Sequence, residues 1–405
     1  MQRYTRAVGL RALLYYLIFA LPLTYIIDQP LVSRAIRLSV LLGAVALILS
    51  TVLAREMFRR FYELKRYTRW LTVAIVVAIL AAILTSSDSL ETRLLGLVPE
   101  YLGGLTWLAF IIFGVTVARF SKTLMSTKVI LPISLIILLV SLLINRFNLH
   151  YGLRVSGLLL QATSMAMFAC LTFAIGLKAT RVQTQRRWRV CSFIVVALSL
   201  AVVILTQSRI GYISVALLSV GSVWVGGQTH RFEVIIAVLS CLAVLVLPQF
   251  AQDYFSRFRI TSVQKGVEYR LDLYEISGRD LLRNNLIMGN GPSSLPPAIN
   301  NRNEVPDDIQ KSLQSGDVFL STHDLYFDFA YYFGVAAGLC LLVLSTIAMV
   351  LYLRAKEYFM LACFGVLGIN ALFNTPSLEL TSLYFVFIFA AFWAKGHYET
   401  SQRAL

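Results

Sequence analysis

Three groups of residues in this 405-residue chain combine types and spacings that can do chemistry. Thr206, Gln207, Ser208 and Arg209 form a polar tetrad between two apolar runs. Joined, those runs are too long for one membrane helix, so the chain must turn there and draw Arg209 to or below the membrane interface. An arginine at that depth is costly unless it meets an anion or a wet cavity, although a snorkelling loop arginine fits the same position. The second group begins with Arg270 and Tyr274, four residues apart and hence on one face of a helix, and continues to Met288, Gly289, Asn290, Gly291 and Pro292. Gly289 and Gly291 allow a tight turn close to a ligand; ordinary turn glycines and a solvated arginine are the plainer alternative. The third group is Ser321, Thr322, His323 and Asp324. His323 can accept a proton near neutral pH, and a neighbouring carboxylate can fix its tautomer or raise its basicity; a structural histidine at a helix start would look the same. Arg154, in the stretch from His150 through Gly157, is a weaker fourth feature.

The elements that must position these residues follow from composition. Hydrophobic residues make up 58% of the chain, charged residues only 14%, and mean hydropathy is +0.73. A water-soluble fold carries about a quarter charged residues, so that class is excluded. Hydropathy predicts an all-α polytopic membrane protein of about twelve spans, at 10–27, 38–54, 70–85, 94–118, 129–144, 155–177, 190–205, 210–225, 234–250, 325–353, 358–373 and 380–394. No alternation of period two suggests a barrel. Pro99, Glu100, Gly103 and Gly104 make the start of the fourth span a candidate re-entrant segment.

Charge location sets the orientation. With a cytoplasmic N-terminus, Arg55, Arg59, Arg60, Lys65, Arg66 and Arg69 lie inside, together with Lys178, Arg181, Arg186, Arg187 and Arg189. The short outer loops hold only Arg34, Arg37, Arg93, Arg146, Arg154 and Arg209. Both termini are then cytoplasmic, and the net charge of +15 is a topology signal and not a nucleic-acid footprint. The N-terminal stretch has a signal-like charge pattern but lacks a small-residue cleavage site and contains Pro22, which predicts an uncleaved first span. Spans 1–9 (1–250) and 10–12 with the tail (323–405) flank one long outer loop, 251–322, in which 268–283 has a helical pattern and predicts a small helical cap. All five cysteines lie in apolar runs, which favours packing over a disulfide framework. No Walker loop, zinc-spaced cysteine pair, His-Glu-x-x-His or nucleophile elbow occurs, so no metal and no cofactor are expected.

The order of these features resembles the O-antigen ligase and polymerase superfamily of bacterial envelope glycosyltransferases. The resemblance rests on Ser208-Arg209 between two spans and on a long periplasmic loop with Arg270, an aromatic four residues on at Tyr274 and Gly289-x-Gly291. It continues with a His-Asn, nine residues, Gly pattern that reads His323, Asp324, Leu325 through Phe333, Gly334 here. Arg154-Val155-Ser156-Gly157 is similar to the family's Arg-x-x-Gly, and the whole covers about residues 150 to 345. Departures are Asp324 in place of an amide-bearing residue, Ala337 where a later glycine is frequent, and Gln161 where asparagine is frequent.

The resemblance implies a GT-C-like fold in the inner membrane with a periplasmic active site. It implies metal-independent, inverting transfer of a glycan from undecaprenyl diphosphate to a sugar hydroxyl of the lipid A-core oligosaccharide. Arg209 and Arg270 would hold the diphosphate by bidentate contacts, with Arg154 assisting, and His323 would deprotonate the acceptor or orient it. Tyr274, Gly289, Gly291 and Asp324 would complete the substrate site. The partners implied are the carrier-linked donor, the lipid A-core acceptor and membrane lipids. A polymerase extending the glycan on its carrier shares much of the pattern, but family polymerases tend to have two large periplasmic loops and this chain has one. A protein-directed oligosaccharyltransferase finds no polypeptide-binding extension here. A transporter or flippase, the alternative from another class, usually shows repeats and broken midplane helices, and no repeat is evident.

Overall fold

Inside a bilayer no backbone N–H or C=O can turn to water, and a helix pairs them all within one segment. The computed structural model describes residues 58–59, 61–86, 93–94, 103–117, 127–144, 162–225, 238–239, 260–284, 286–291, 324–373 and 378–394. Among them all regular structure is helical, with no strand. The helices are α1 (Arg66–Thr85), α2 (Gly104–Val117), α3 (Thr127–Ile144), α4 (Ala162–Val182), α5 (Arg186–Thr206), α6 (Arg209–Val225), α7 (Ile260–Asn284), α8 (Leu325–Phe333), α9 (Val335–Arg354), α10 (Tyr358–Phe373) and α11 (Leu378–Ala394). The expected spans at 10–27 and 38–54, and all but 238–239 of the one at 234–250, lie outside the described residues.

Among the described residues four helices are long and apolar enough to cross a membrane: Arg66–Thr85, Ala162–Arg181, Arg186–Thr206 and Val335–Arg354. Exposed helix faces carry apolar stripes that water would not tolerate. On α1, Val77, Leu80 and Leu84 are exposed at helical spacing, Leu84 to 77%; on α6 the same is true of Ile213, Leu217 and Val220. Lipid is the solvent that covers such faces, and the chain is a polytopic membrane protein.

The chain divides into two compact units. The first comprises Met1–Pro30, Arg119–Ser262 and Tyr352–Asn370. At its centre α4 packs against α3, α5 and α6 and is buried along nearly its whole length, with Met165, Ala166, Ala169, Cys170 and Phe173 shut off from solvent. Polar groups tie its neighbours to it. Thr172 Oγ1 and Ser199 Oγ share a hydrogen bond of 2.8 Å between α4 and α5, and the Cys170 thiol donates to the Gly211 carbonyl of α6 at 3.5 Å. At Gly211 an added Cβ would lie 3.0 Å from the Ala166 Cβ, so small residues set the approach of α6 to α4.

The second unit comprises Leu31–Ala118, Val263–Leu351 and Ala371–Leu405. Its core is aromatic. Trp107 of α2 meets Phe329 of α8 edge-on at 5.1 Å and lies 6.0 Å from Phe333, while Phe110 stacks on Phe385 of α11 at 6.1 Å. At the start of α8, the hydroxyls of Tyr326 and Tyr384 bond to one another, and Tyr384 donates onward to Ser345 Oγ of α9 at 2.8 Å.

One expected element is two. The apolar run at 325–353 predicts a single span, but the chain breaks at Gly334 (φ 92°, ψ 155°) into α8 and α9. The corner is sharp: a Cβ added at Gly338, one turn into α9, would meet the Ala330 Cβ at 2.6 Å and the Tyr326 carbonyl at 3.1 Å. Ala337, which departs from the family pattern, is buried, and the close approach falls to Gly338.

Candidate functional site

Arg209 is positioned by the turn between α5 and α6. Helix α5 ends at Thr206, whose hydroxyl donates to the Val203 carbonyl at 2.7 Å, and Gln207 adopts the left-handed conformation (φ 49°, ψ 34°) as its C-cap. Ser208 then begins α6: its carbonyl accepts from Tyr212 N at 3.0 Å and its hydroxyl accepts from Gly211 N at 3.4 Å. The Tyr212 hydroxyl reaches back to the Ile204 carbonyl at 3.1 Å and locks the turn. Thr206, Gln207, Ser208 and Tyr212 are buried while Arg209 is partly exposed, so the guanidinium stands at the first position of a helix on a rigid support.

In the other unit α7 carries Arg270 and Tyr274. Leu273, Ile276, Ser277 and Leu281 form a buried helical stripe, and Arg270 and Tyr274 sit half-buried along its edge. The Tyr274 ring lies 5.3 Å from that of Phe327. Asp324 caps α8, its Oδ1 accepting from Tyr326 N at 2.8 Å and Phe327 N at 3.0 Å. Burial raises its carboxyl above the ordinary value, and these two amides offset part of the rise. Burial, followed by the Asp324 carboxylate, pushes the Tyr274 phenol up to about 12; Arg270 pulls the other way and Asp328 adds to the rise. Tyr274 is therefore held as a neutral hydroxyl in the field of one cation and two carboxylates.

The far end of the same helix pair holds Gly289 and Gly291. The broken end of α8 leaves carbonyls free, and the turn after α7 fills them: Asn290 N donates to Tyr331 O at 2.8 Å and Gly291 N to Tyr332 O at 3.0 Å, while Val335 N donates to Leu286 O at 3.0 Å. Asp280 of α7 accepts from the Tyr331 hydroxyl at 2.6 Å and from Asn290 Nδ2 at 3.1 Å. Gly289 has φ 72°, and a side chain there would strike the Tyr332 carbonyl; one at Gly291 would strike Ser86. The close approach these glycines allow is to the protein's own backbone and to the end of α1.

The structure brings Arg270, Tyr274 and Asp324 together in the second unit, with Gly289 and Gly291 on the adjoining turn, and places Arg209 in the first unit. His323 and Arg154 lie outside the described residues. Asp328, buried in α8, was missed; a carboxylate within an apolar run was the signal that marks it. No group of three or more His, Cys, Asp or Glu among the described residues is placed to hold a metal ion.

Residues 193–342 match the sequence model of the family described as O-antigen ligase. The match spans less than half of the chain and supports the resemblance to the O-antigen ligase and polymerase superfamily. The matched segment begins within α5 and ends within α9, and so takes in Arg209, Arg270, Tyr274, Gly289, Gly291, His323 and Asp324. Arg154 precedes it. No curated protein matches the chain.

Proposed function

We propose that this protein is an O-antigen ligase of about twelve spans, with both termini cytoplasmic and residues 251–322 forming a periplasmic helical cap. It transfers the glycan from undecaprenyl diphosphate to a sugar hydroxyl of lipid A-core, without a metal and with inversion. The observation that carries this reading is the O-antigen ligase match over the segment that also holds two arginines and a histidine in the family's order. His323 takes the proton of the acceptor hydroxyl, and the oxygen attacks the anomeric carbon. The bond from that carbon to the diphosphate oxygen breaks, and its electron pair stays on the diphosphate. Arginine stabilises the growing charge on that anion, the task a metal performs elsewhere, a role assigned to Arg209 with Arg154 assisting and, separately, to Arg270. Tyr274, as a neutral donor beside Arg270, and Asp324, as the cap that fixes the helix following His323, stand with Arg270.

The test is a gel of lipopolysaccharide and carrier-linked glycan from cells lacking the protein, with wild-type, His323→Ala, Arg209→Ala or Arg270→Ala copies restored. Full-length polymer on the carrier and bare lipid A-core identify the ligase, and each variant is expected to restore transfer at least about 100-fold less well than wild type. A core bearing a single repeat unit makes the protein the polymerase instead. Absence of any periplasmic glycan makes it a transporter, and full restoration by all three variants overturns the residue assignment.

A further inference from the structure

Gln207 combines two features that protein chains normally avoid. Among the described residues only Gln207 and Lys356 have positive φ without being glycine, at 49° and 54°. Lys356 needs no further account: Lys356 N donates to Leu353 O at 3.1 Å and Glu357 N to Tyr352 O at 3.0 Å, a helix-ending arrangement with an exposed side chain. Gln207 is different because its side chain is buried, 4% exposed, and its Nε2 has no hydrogen-bond partner. Around it Thr206, Ser208 and Tyr212 all place their hydroxyls in hydrogen bonds of the turn. A buried N–H donor left open is rare in a native fold and is usually filled by something absent from the chain itself.

What would fill it follows from its surroundings. Gln207 precedes the first residues of α6, a 17-residue helix whose N-terminal amides form a partial positive charge, and Arg209 adds a full one two positions on. An acceptor-only, negatively charged oxygen suits all three. We propose that Gln207 is a further donor-binding residue, its Nε2 donating a hydrogen bond to a diphosphate oxygen of the lipid carrier beside Arg209. The inference rests on the reading of Arg209 as a diphosphate ligand. The carboxamide supplies direction where the guanidinium supplies charge, so Gln207 fixes which diphosphate oxygen faces Arg209.

The left-handed backbone makes the test clean, because glycine at this position removes the side chain and relieves the backbone at once. Full-length protein in nanodiscs is assayed for binding of undecaprenyl diphosphate, for transfer from carrier-linked glycan to lipid A-core, and for thermal midpoint. Gln207→Gly is expected to keep or raise the midpoint, weaken undecaprenyl diphosphate binding about tenfold and raise the donor KM alike, leaving the acceptor KM unchanged. Gln207→Glu, which replaces the donor by an anion, is expected to lose more, and Gln207→Asn to recover part of the loss. Wild-type binding by Gln207→Gly alongside lost binding by Arg209→Ala overturns the inference and leaves the diphosphate site standing. A loss in Gln207→Gly that accompanies a lowered midpoint assigns Gln207 to packing and also overturns it. Wild-type binding and transfer by Arg209→Ala overturns the donor-site reading itself.

Discussion

Asp324 stands where the family pattern carries an amide, and the cap on α8 explains why the exchange is tolerated. Asparagine and aspartate both offer an oxygen to Tyr326 N and Phe327 N, so the departure changes a charge and not a helix start. Its consequence is a pH dependence. Burial holds the carboxyl above 3.8, so the folded chain keeps this proton to higher pH than the unfolded chain does. The stability linked to the protonated form is present below 3.8 and is lost as pH rises through the raised value. Asp324→Asn should therefore match or exceed wild-type stability at neutral pH with a flatter acid profile, and Asp324→Ala should cost about 1 kcal/mol, both read from thermal unfolding in detergent across pH. At this scale the sequence was readable where spacing alone decides, as for Arg270 and Tyr274 on one face of α7. It was unreadable where backbone conformation decides: nothing in the letters of Gln207 announces a left-handed φ.

Helix lengths were legible because hydropathy reports them, and α5, α6 and α10 begin and end within a few residues of the expected spans. The corner at Gly334 was not, since the apolar run continues across it and a hydropathy profile carries no direction. Only tertiary contact rewards the break: it frees the Tyr331 and Tyr332 carbonyls for the amides of Asn290 and Gly291. A side chain at Gly334 would strike the Ile287 carbonyl in a backbone region open to glycine alone. Gly334→Ala is expected to cost roughly 2 kcal/mol or more and to lower the thermal midpoint in detergent; an unchanged midpoint would mean that the corner forms without this approach.

Across the whole molecule, composition was the most informative signal, because a bilayer demands apolar surface wherever protein does not cover a helix. Helix α4 shows the reverse case, its Ser164 and Thr172 admissible because α3, α5 and α6 shield them from lipid. The coupling of α7 to α8 has a consequence of another kind. Two backbone amides of the turn after α7, the Val335 amide given back to Leu286, and the Tyr331 hydroxyl on Asp280 all cross between segments joined in sequence only through residues 292–323. The peptide link there is one tether among several, and loop-closure entropy grows only slowly with length. Severed near residue 300 and expressed as two polypeptides, the protein should reassemble, the halves co-purifying through one affinity tag. Gly334→Ala in the second half should weaken that capture. The protein is in this sense a complex of two partners that happen to share a chain.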